Sequence, residues 1–260
     1  MAGILVFDCE TVPDLIRCRA ANIVDASVED TIAYASLSEA MPKPPFCQVV
    51  ALAVAWITPD GAFRDCRALG EPDWDEARLL AAWFEIVGRH RPRIVGWNSS
   101  GFDLPVLVYR AVLHGIATPA FYRVGEPYHG YRKRYDEESH IDLMDLLSGY
   151  GASPRVSLHE MATACGLPGK GSVRGEDVLT LWQAGDLAAI RAYCERDVLT
   201  TALIYGRYAA HRGWFTPDQA VTFEQSVARW LDAATAPHWQ AFRAAWRPSP
   251  HVWGSGVTPA

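Results

Sequence analysis

The chain has 260 residues, of which 50% are hydrophobic, and carries a formal net charge of −6 at neutral pH. The sequence lacks a continuous apolar stretch of about 18 residues or more, the length that spans a membrane. We therefore expect a globular protein with one substantial core rather than a membrane protein. The negative charge also excludes a protein that holds nucleic acid mainly through a large basic surface.

The start of the chain, MAGILVFDCE, has neither the basic segment nor the small-residue cleavage site of a signal peptide. The six cysteines form no CxxC pair and lie at positions 9, 18, 47, 66, 165 and 194. This spacing favours buried free thiols in a reducing compartment over a disulfide framework or a zinc site. The sequence thus predicts a cytoplasmic protein.

The first half of the chain predicts strands and helices. Residues 5–14, LVFDCETVPD, begin as an apolar strand whose run stops at Asp8-Cys9-Glu10, and residues 13–45 look irregular to helical. A hairpin is predicted over 47–69, where two strand patterns flank the turn TPDG. Three further elements are a helix at 73–90, a strand at 93–98 and a helix at 102–115. This order predicts an α/β fold with an antiparallel hairpin beside parallel strands.

The second half predicts mostly helices. Tyr, Arg, Gly and Pro are frequent in residues 118–139, which predicts a long loop. The later elements have helical spacing or capping signals: a short strand and helix at 140–150, and helices at 157–166, 186–211, 216–234 and 238–246. Neither a repeat nor a linker divides the sequence, so the last helices are expected to pack on the same body.

The first strand carries two carboxylates one residue apart. Asp8 and Glu10 point to the same side of a strand, because side chains alternate. Two anions about 6–7 Å apart repel each other unless a positive charge lies between them, and a divalent metal ion meets that need. An isolated D-x-E is more often a pair of solvated surface acids. The two interpretations differ in whether the fold brings further acidic residues to this pair.

Two later segments supply such residues. Asp103 lies where a predicted strand passes into a helix, after Asn98 and Phe102. Tyr193 and Asp197 are four residues apart on a predicted helix, so they share one face with Cβ atoms about 5–6 Å apart. Each feature alone is common on protein surfaces. As an ordered set at the ends of elements, where a sheet gathers them, they indicate one site.

This ordered set of D-x-E, Asp and Y-x-x-x-D resembles the DEDDy branch of the DEDD superfamily of 3′–5′ exonucleases, which have the ribonuclease H-like fold. More narrowly, the chain resembles the stand-alone predicted polymerase-B-like exonucleases of bacteria over residues 3–208, including HIDLMDLL, SLHEMATACGLPGK and YCERDVLTTALIY. The resemblance implies a three-layer α/β fold with a mixed central sheet flanked by helices. It also implies an exonuclease domain over 1–208 and a C-terminal helical extension over 209–260.

The resemblance further implies two divalent metal ions, Mg²⁺ or Mn²⁺, and single-stranded nucleic acid as substrate. Asp8 would bridge both ions, and Glu10 and Asp197 would complete the ion that activates water. Asp103 would hold the second ion, mainly through water. Tyr193 would orient the attacking water, because a phenol with a pKa near ~10 is a poor base at neutral pH.

Five further residues are candidate substrate contacts, each with a structural alternative. Asn98 and Phe102 would meet the terminal nucleotide, although Phe102 is equally well explained as a core residue at a helix start. Lys170, in GLPGKGSVRG, would reach a backbone phosphate or lie in a solvated loop. Arg132 and Arg134, in YRKRY, alternate with aromatic residues as in a loop that contacts single strands, or belong to a solvated loop.

The leading hypothesis is a metal-dependent 3′–5′ exonuclease that removes nucleoside monophosphates from single-stranded DNA. A 3′–5′ exoribonuclease is the alternative, because discrimination depends on packing at the 2′ position of the sugar. A catalytically silent nucleic-acid-binding module in a repair or defence complex is a third interpretation. The intact set of four acids argues against it, because a module without chemistry gains nothing from their mutual repulsion. No motif indicates the oligomeric state.

Overall fold

The computed structural model describes residues 3–39, 41–123, 129–169 and 173–248. Lys170, a candidate substrate contact, lies outside these ranges. Within them, five strands form one mixed sheet in the order β3-β2-β1-β4-β5. The strands are Ile4–Pro13 (β1), Cys47–Ile57 (β2), Phe63–Ala68 (β3), Arg93–Gly96 (β4) and His140–Asp142 (β5).

Helices cover both faces of this sheet. The helices are Leu15–Ala20 (α1), Asp30–Glu39 (α2), Glu76–His90 (α3), Asp103–Leu113 (α4), Pro119–Tyr122 (α5), Leu143–Leu147 (α6), Leu158–Ala164 (α7), Val178–Gln183 (α8), Leu187–His211 (α9), Pro217–Ala233 (α10) and Pro237–Ala245 (α11). Alternation along β1 sends Val6 into the core formed with α9 and α10, and Phe7 into the core formed with α3 and α4. The predicted three-layer α/β arrangement is confirmed.

The long strand β2 supports the centre of the sheet. It pairs antiparallel with β1 along its full length, from Ile4 opposite Ile57 to Pro13 opposite Cys47. It also pairs antiparallel with β3 on its other side. The predicted hairpin is therefore confirmed, and the continuous apolar run of β2 is explained by burial on both faces of the sheet.

The expectation that the first strand ends at its carboxylates is wrong. β1 continues to Pro13, and Thr11 beyond the carboxylates is buried. β2 supports the whole of β1, whereas β4 pairs only with Ile4–Val6. The sheet therefore opens on the β4 side just before Asp8, and a register shift with β2 follows Glu10. The carboxylates lie beside this opening instead of at a strand end.

Most predicted helices are confirmed with small differences at their ends. The capping box expected at α7 is present: Ser157 accepts a hydrogen bond from the backbone of Glu160, whose carboxylate accepts one from Ser157 N at 2.7 Å. Two short helices were not predicted, α5 within the expected loop at 118–139 and α8. Segments of one or two turns are too short to show helical periodicity in the sequence.

The last two helices pack on α9. A Cβ at Gly206 of α9 would come within 2.3 Å of the Phe223 ring on α10, so the two helices are in close contact there. Trp239 and Phe242 of α11 are buried in the same core cluster. These contacts place the helices after residue 208 on the body of the fold, and the domain boundary at 208 stays a prediction.

A buried ion-pair network joins the segment before β2 to α3 and α4. Arg110 is 1% exposed, and its Nε donates to Glu76 Oε1 at 2.7 Å. Its Nη1 donates to Asp14 Oδ2 at 2.9 Å and to the Pro45 carbonyl at 2.8 Å. Nε2 of His114 lies 2.7 Å from Glu76 Oε2. Each buried charge in the network thus has an opposite charge beside it.

Every cysteine is a free thiol; five are buried and Cys165 is half-buried. The prediction of buried free thiols is therefore confirmed. Within the described ranges, none of the helices combines the length and the apolar character that crossing a membrane would need.

Candidate active site

The central strand β1 presents two carboxylates to helix α9. Asp8 and Glu10 lie on the same side of the strand, as strand alternation requires. One ligand atom from each carboxylate and the Sγ of Cys194 on α9 all lie within 4.8 Å of one another. Because β4 stops pairing with β1 at Val6, the edge of β1 beyond Val6 is open to a third element.

Helix α9 brings three polar side chains to the pair. Tyr193 hydrogen-bonds the carboxylate of Asp197, one helical turn further along. Sγ of Cys194 lies 3.4 Å from the backbone oxygen of Asp8 and 3.7 Å from its Oδ2. The buried thiol is therefore a direct contact between α9 and β1 beside the carboxylates.

Helix α4 contributes the fourth carboxylate from its first residue. Asp103 Oδ1 accepts hydrogen bonds from Cys9 N at 3.1 Å and from Cys9 Sγ at 3.2 Å. The turn before the helix is tight: Asn98 has a φ of 57°, and a Cβ at Gly101 would come within 2.7 Å of the Asn98 Oδ1. This turn directs the start of α4 towards the middle of β1.

Burial and mutual repulsion raise the pKa values of the carboxyl groups. The pKa of Asp8 is raised well above its usual value, first by burial and then by the charge of Asp103. The charges of Glu10 and Asp197 raise it further. Burial raises the pKa of Asp103 to about 6, although the hydrogen bonds from Cys9 act in the opposite direction. The structure therefore brings the four predicted acids into one electrostatic cluster.

A phenol and two thiols beside the acids are neutral. Burial, followed by the charge of Asp197, raises the pKa of Tyr193 far above that of a free phenol. Burial also raises the pKa values of the Cys9 and Cys194 thiols. The phenol and both thiols therefore keep their protons at physiological pH and act as hydrogen-bond donors.

The donor set fits hard divalent cations. Carboxylate oxygens are the ligands that Mg²⁺ and Mn²⁺ prefer in proteins. The three charged neighbours of Asp8 all raise its pKa, so the cluster holds negative charge that a cation would neutralise. Divalent metal dependence is also what the exonuclease chemistry of such sites requires.

The predicted substrate contacts lie around the turn before α4 and in the loop after α5. Phe102 is a half-buried residue at the start of α4 and packs against the core on the α3 and α4 side. Asn98 lines a cavity together with Arg132 and Arg134. Arg134 Nη2 also lies 3.6 Å from Asp145 Oδ2. The structure therefore gathers Asn98 and both arginines at one cavity and gives Phe102 a packing contact.

Sequence reasoning missed the two cysteines that contact the acids. Cys9 donates to Asp103, and Cys194 donates to Asp8. A free cysteine usually behaves as a small buried hydrophobic residue, so neither residue stood out. Their places inside D-C-E and Y-C-E-R-D were the signal that could have found them, because each motif residue around them is polar.

Sequence comparison identifies the family of the chain. The profile of a family described as "Predicted 3'-5' exonuclease related to the exonuclease domain of PolB" matches residues 39–246. The chain belongs to this family. The matched segment includes Asp103, Tyr193 and Asp197 and begins after β1, which carries the D-x-E pair. The predicted family and its nuclease class, a class of hydrolases, are thus confirmed.

Solved structures add information on the fold. A family B DNA polymerase from the hyperthermophilic archaeon Pyrobaculum calidifontis is 22% identical with a TM-score of 0.54, and the alignment covers 81% of this chain and 25% of that chain. The chain therefore spans about a quarter of the polymerase. This likeness confirms the predicted ribonuclease H-like α/β class.

Two exonuclease I structures are more distant. The structure that suggests how exonuclease I achieves processivity is 13% identical over 93% of this chain and 45% of that chain, with a TM-score of 0.40. A product-bound exonuclease I structure is 15% identical over 82% of this chain and 48% of that chain, with a TM-score of 0.37. Similarity of this extent does not establish a shared fold. No curated protein matches the sequence significantly.

Proposed function

We propose that this protein is a metal-dependent 3′–5′ exonuclease that hydrolyses single-stranded DNA from its 3′ end and releases nucleoside monophosphates. The observation that carries the proposal is the meeting of four carboxylates from three separate elements, β1, the first residue of α4 and α9. The family description supports the reaction class. The charges of Asp103, Glu10 and Asp197, which all raise the pKa of Asp8, support a role for divalent cations.

The proposed metal ligands are the four acids of the cluster, Asp8, Glu10, Asp103 and Asp197. Two divalent ions held by these acids would supply a metal-activated water molecule and neutralise charge on the phosphoryl oxygens. Asp8 is the proposed bridging ligand, because its pKa responds to each of the other three acids. We assign Glu10 and Asp197 to the first ion. Asp103, which Cys9 holds in place, is assigned to the second.

Tyr193 is the proposed water-orienting residue. Its neutral phenol donates to Asp197, which leaves the phenolic oxygen free to accept a hydrogen bond from the attacking water. The raised pKa of the phenol argues against a role as general base. Gly175 approaches this phenol, since a Cβ there would lie 3.8 Å from the hydroxyl oxygen, so the glycine leaves space beside the proposed water.

The proposed substrate is DNA in preference to RNA, because the family is described by its relation to the exonuclease domain of PolB. Asn98 and Phe102 are the proposed contacts to the terminal nucleotide, next to Asp103 on the same turn. The partly buried ring of Phe102 retains an exposed portion that a base could stack on. Discrimination against the 2′-hydroxyl group is a further prediction of this assignment.

The decisive experiment is a time course with purified protein and 5′-labelled single-stranded DNA. Matched RNA and duplex DNA are tested in parallel, each in Mg²⁺, Mn²⁺ or a chelator. We expect metal-dependent shortening from the 3′ end, with nucleoside monophosphates as product and single-stranded DNA as the fastest substrate.

Two variants and one matched control make the result specific. Asp8→Asn removes the proposed bridging charge, and Tyr193→Phe removes only the hydroxyl group. The control Glu71→Gln/Asp73→Asn alters an exposed acidic pair elsewhere on the surface. Loss of shortening in Asp8→Asn and full activity in the control support the proposal. Shortening that survives in Asp8→Asn, or no shortening of any substrate in either metal, would contradict it.

A further inference from the structure

A basic cavity lies between the turn before α4 and the loop after α5. Its volume is about 310 Å³. The charged residues that line it are Arg132, Lys133, Arg134, Arg155 and Asp145. Four cations against one carboxylate make this a strongly positive surface on a chain whose net charge is −6. Such a local reversal of charge favours an anionic ligand.

One wall of the cavity is fixed by a buried carboxylate. Asp142, at the end of β5, accepts hydrogen bonds from Asn98 N at 2.9 Å and from Ser100 N at 2.8 Å. Both donors belong to the turn that precedes α4. The neighbouring Ser99 Oγ lies 2.9 Å from His140 Nε2. Burial lowers the pKa of His140 to about 4, so this imidazole is neutral at physiological pH.

The opposite wall is organised by a second buried carboxylate. The side chain of Asp145 is 7% exposed and accepts from Arg155 Nη2 at 2.6 Å and from Arg155 Nε at 3.2 Å. Arg134 approaches the same carboxylate at 3.6 Å. Asp145 thereby holds two guanidinium groups at the cavity before any ligand arrives. Fixed guanidinium groups bind phosphate oxygens with little further loss of side-chain freedom.

These two acids come from one short motif, HIDLMD, at residues 140–145. The catalytic assignment makes no use of this motif. Its Asp142 also accepts the first free backbone N–H groups of α6, from Met144 and Asp145. The motif therefore positions both walls of the cavity through the side chains of Asp142 and Asp145.

We propose that this cavity binds backbone phosphodiester groups of the single-stranded substrate, upstream of its 3′ end and without regard to base sequence. The inference rests on the proposed function for the class of ligand. Gly101 and Leu104, on either side of Asp103, line the cavity, so it adjoins the cluster of acids. In the proposed complex, a strand whose last phosphodiester group reaches the acids places its preceding phosphodiester groups beside these cations.

The test measures binding without catalysis. Fluorescence anisotropy with labelled single-stranded DNA is recorded in a chelator over a range of salt concentrations. One variant is Arg132→Gln/Lys133→Gln, whose two cations form no ion pair among the described residues. A second is Arg134→Gln/Arg155→Gln. The matched control, Arg64→Gln/Arg67→Gln, removes two exposed cations from β3, at the opposite edge of the sheet.

We expect the dissociation constant of each cavity variant to rise about tenfold at low salt. The slope of log affinity against log salt should fall by about 0.7 for each phosphate group that the variant no longer neutralises. The control should bind like the wild type in both respects. Thermal unfolding of each variant checks that the fold is retained, and the Arg132→Gln/Lys133→Gln variant avoids the buried Asp145 altogether.

Two results would overturn the inference. The first is an affinity and a salt slope in the Arg132→Gln/Lys133→Gln variant that equal those of the control. The second is displacement of the labelled strand by free nucleoside monophosphate at the same total phosphate concentration that unlabelled strand requires. That result would show that the cavity binds the product of the reaction. Because no hydrolysis is measured, an inactive protein with cavity-dependent binding would refute the proposed function and leave this inference standing.

Discussion

Helix α4 carries a buried charge near each end, and the two ends differ in how that charge is compensated. Near the last turn, Arg110 lies between the carboxylates of Glu76 and Asp14. At the first turn, Asp103 raises the pKa of Asp8 and accepts hydrogen bonds from two neutral donors of Cys9. One end is neutralised by the chain itself. At the other end, the charges that act on Asp8 are those of neighbouring acids.

This difference separates a structural ion-pair network from the proposed active site. Buried ions that are paired within the fold resist removal of either partner, because the remaining charge would be left alone in a low-dielectric interior. Buried acids that repel each other lower the stability of the folded state, and proteins tolerate that cost at sites that bind ligands or perform chemistry. The following predictions test the contrast between the two ends of the helix.

The largest effect is expected from Arg110→Met at the compensated end. The substitution leaves the buried carboxylates of Glu76 and Asp14 without their cation, so the free energy of unfolding should fall by about 3–5 kcal/mol. Urea denaturation monitored by circular dichroism measures this change. Arg89→Met on the exposed side of α3 is the control and should stay near the wild type. A loss of under about 1 kcal/mol for Arg110→Met would remove the contrast.

Addition of Mg²⁺ should raise the free energy of unfolding by binding to the acids at the opposite end of α4. At a concentration a hundredfold above its dissociation constant, a ligand that binds only the folded state raises the free energy of unfolding by about 2.7 kcal/mol. Denaturation with and without chelator measures the gain. The gain should persist in Arg110→Met, because that network lies at the other end of α4. An equal gain in Asp8→Asn would show that the metal binds elsewhere.

In a chelator, Asp8→Asn should stabilise the protein at pH 8 by about 1–2 kcal/mol. The raised pKa of Asp8 means that the folded state keeps a proton which the unfolded state releases above about pH 4. The stability of the wild type therefore falls as pH rises through the raised pKa. The asparagine variant should lose less stability over the same range, and urea denaturation at pH 5 and pH 8 compares the two. If Asp8→Asn is less stable than the wild type at pH 8, the prediction is wrong.

The smallest effect is expected from His114→Gln. The imidazole is 25% exposed and contacts Glu76, which keeps both its hydrogen bonds to Arg110 after the change. We expect a loss of less than about 1 kcal/mol. A loss as large as that of Arg110→Met, in the same denaturation assay, would mean that the imidazole is a full member of the network.

Local geometry explains what the sequence could predict at the site. The common face of Asp8 and Glu10 follows from strand alternation, and that of Tyr193 and Asp197 from helical spacing. The end of β1 was mispredicted because two polar residues interrupt its apolar run. Its continuation to Pro13 depends on pairing with β2, a segment more than thirty residues further along the chain.

Contacts between distant segments carry no local signal. Cys9 and Asp103 are 94 positions apart, and Arg110 and Asp14 are 96 apart. The sequence showed each residue as an ordinary thiol, acid or base, and only the tertiary structure brings them together. The family resemblance supplied the order of the acids for the site. It offered no equivalent for the network around Arg110.

The edges of the sheet have a consequence for how this chain meets copies of itself. At one edge, two backbone N–H groups of β3 are already occupied: Phe63 N donates to Ser226 Oγ at 2.8 Å, and Ala68 N donates to Glu195 Oε1 at 2.7 Å. At the other edge, β5 is only three residues long. Exposed strand edges are the usual templates for aggregation by strand addition. Here side chains from helices occupy two backbone N–H groups of β3, and β5 is too short to pair stably with a strand of a second chain.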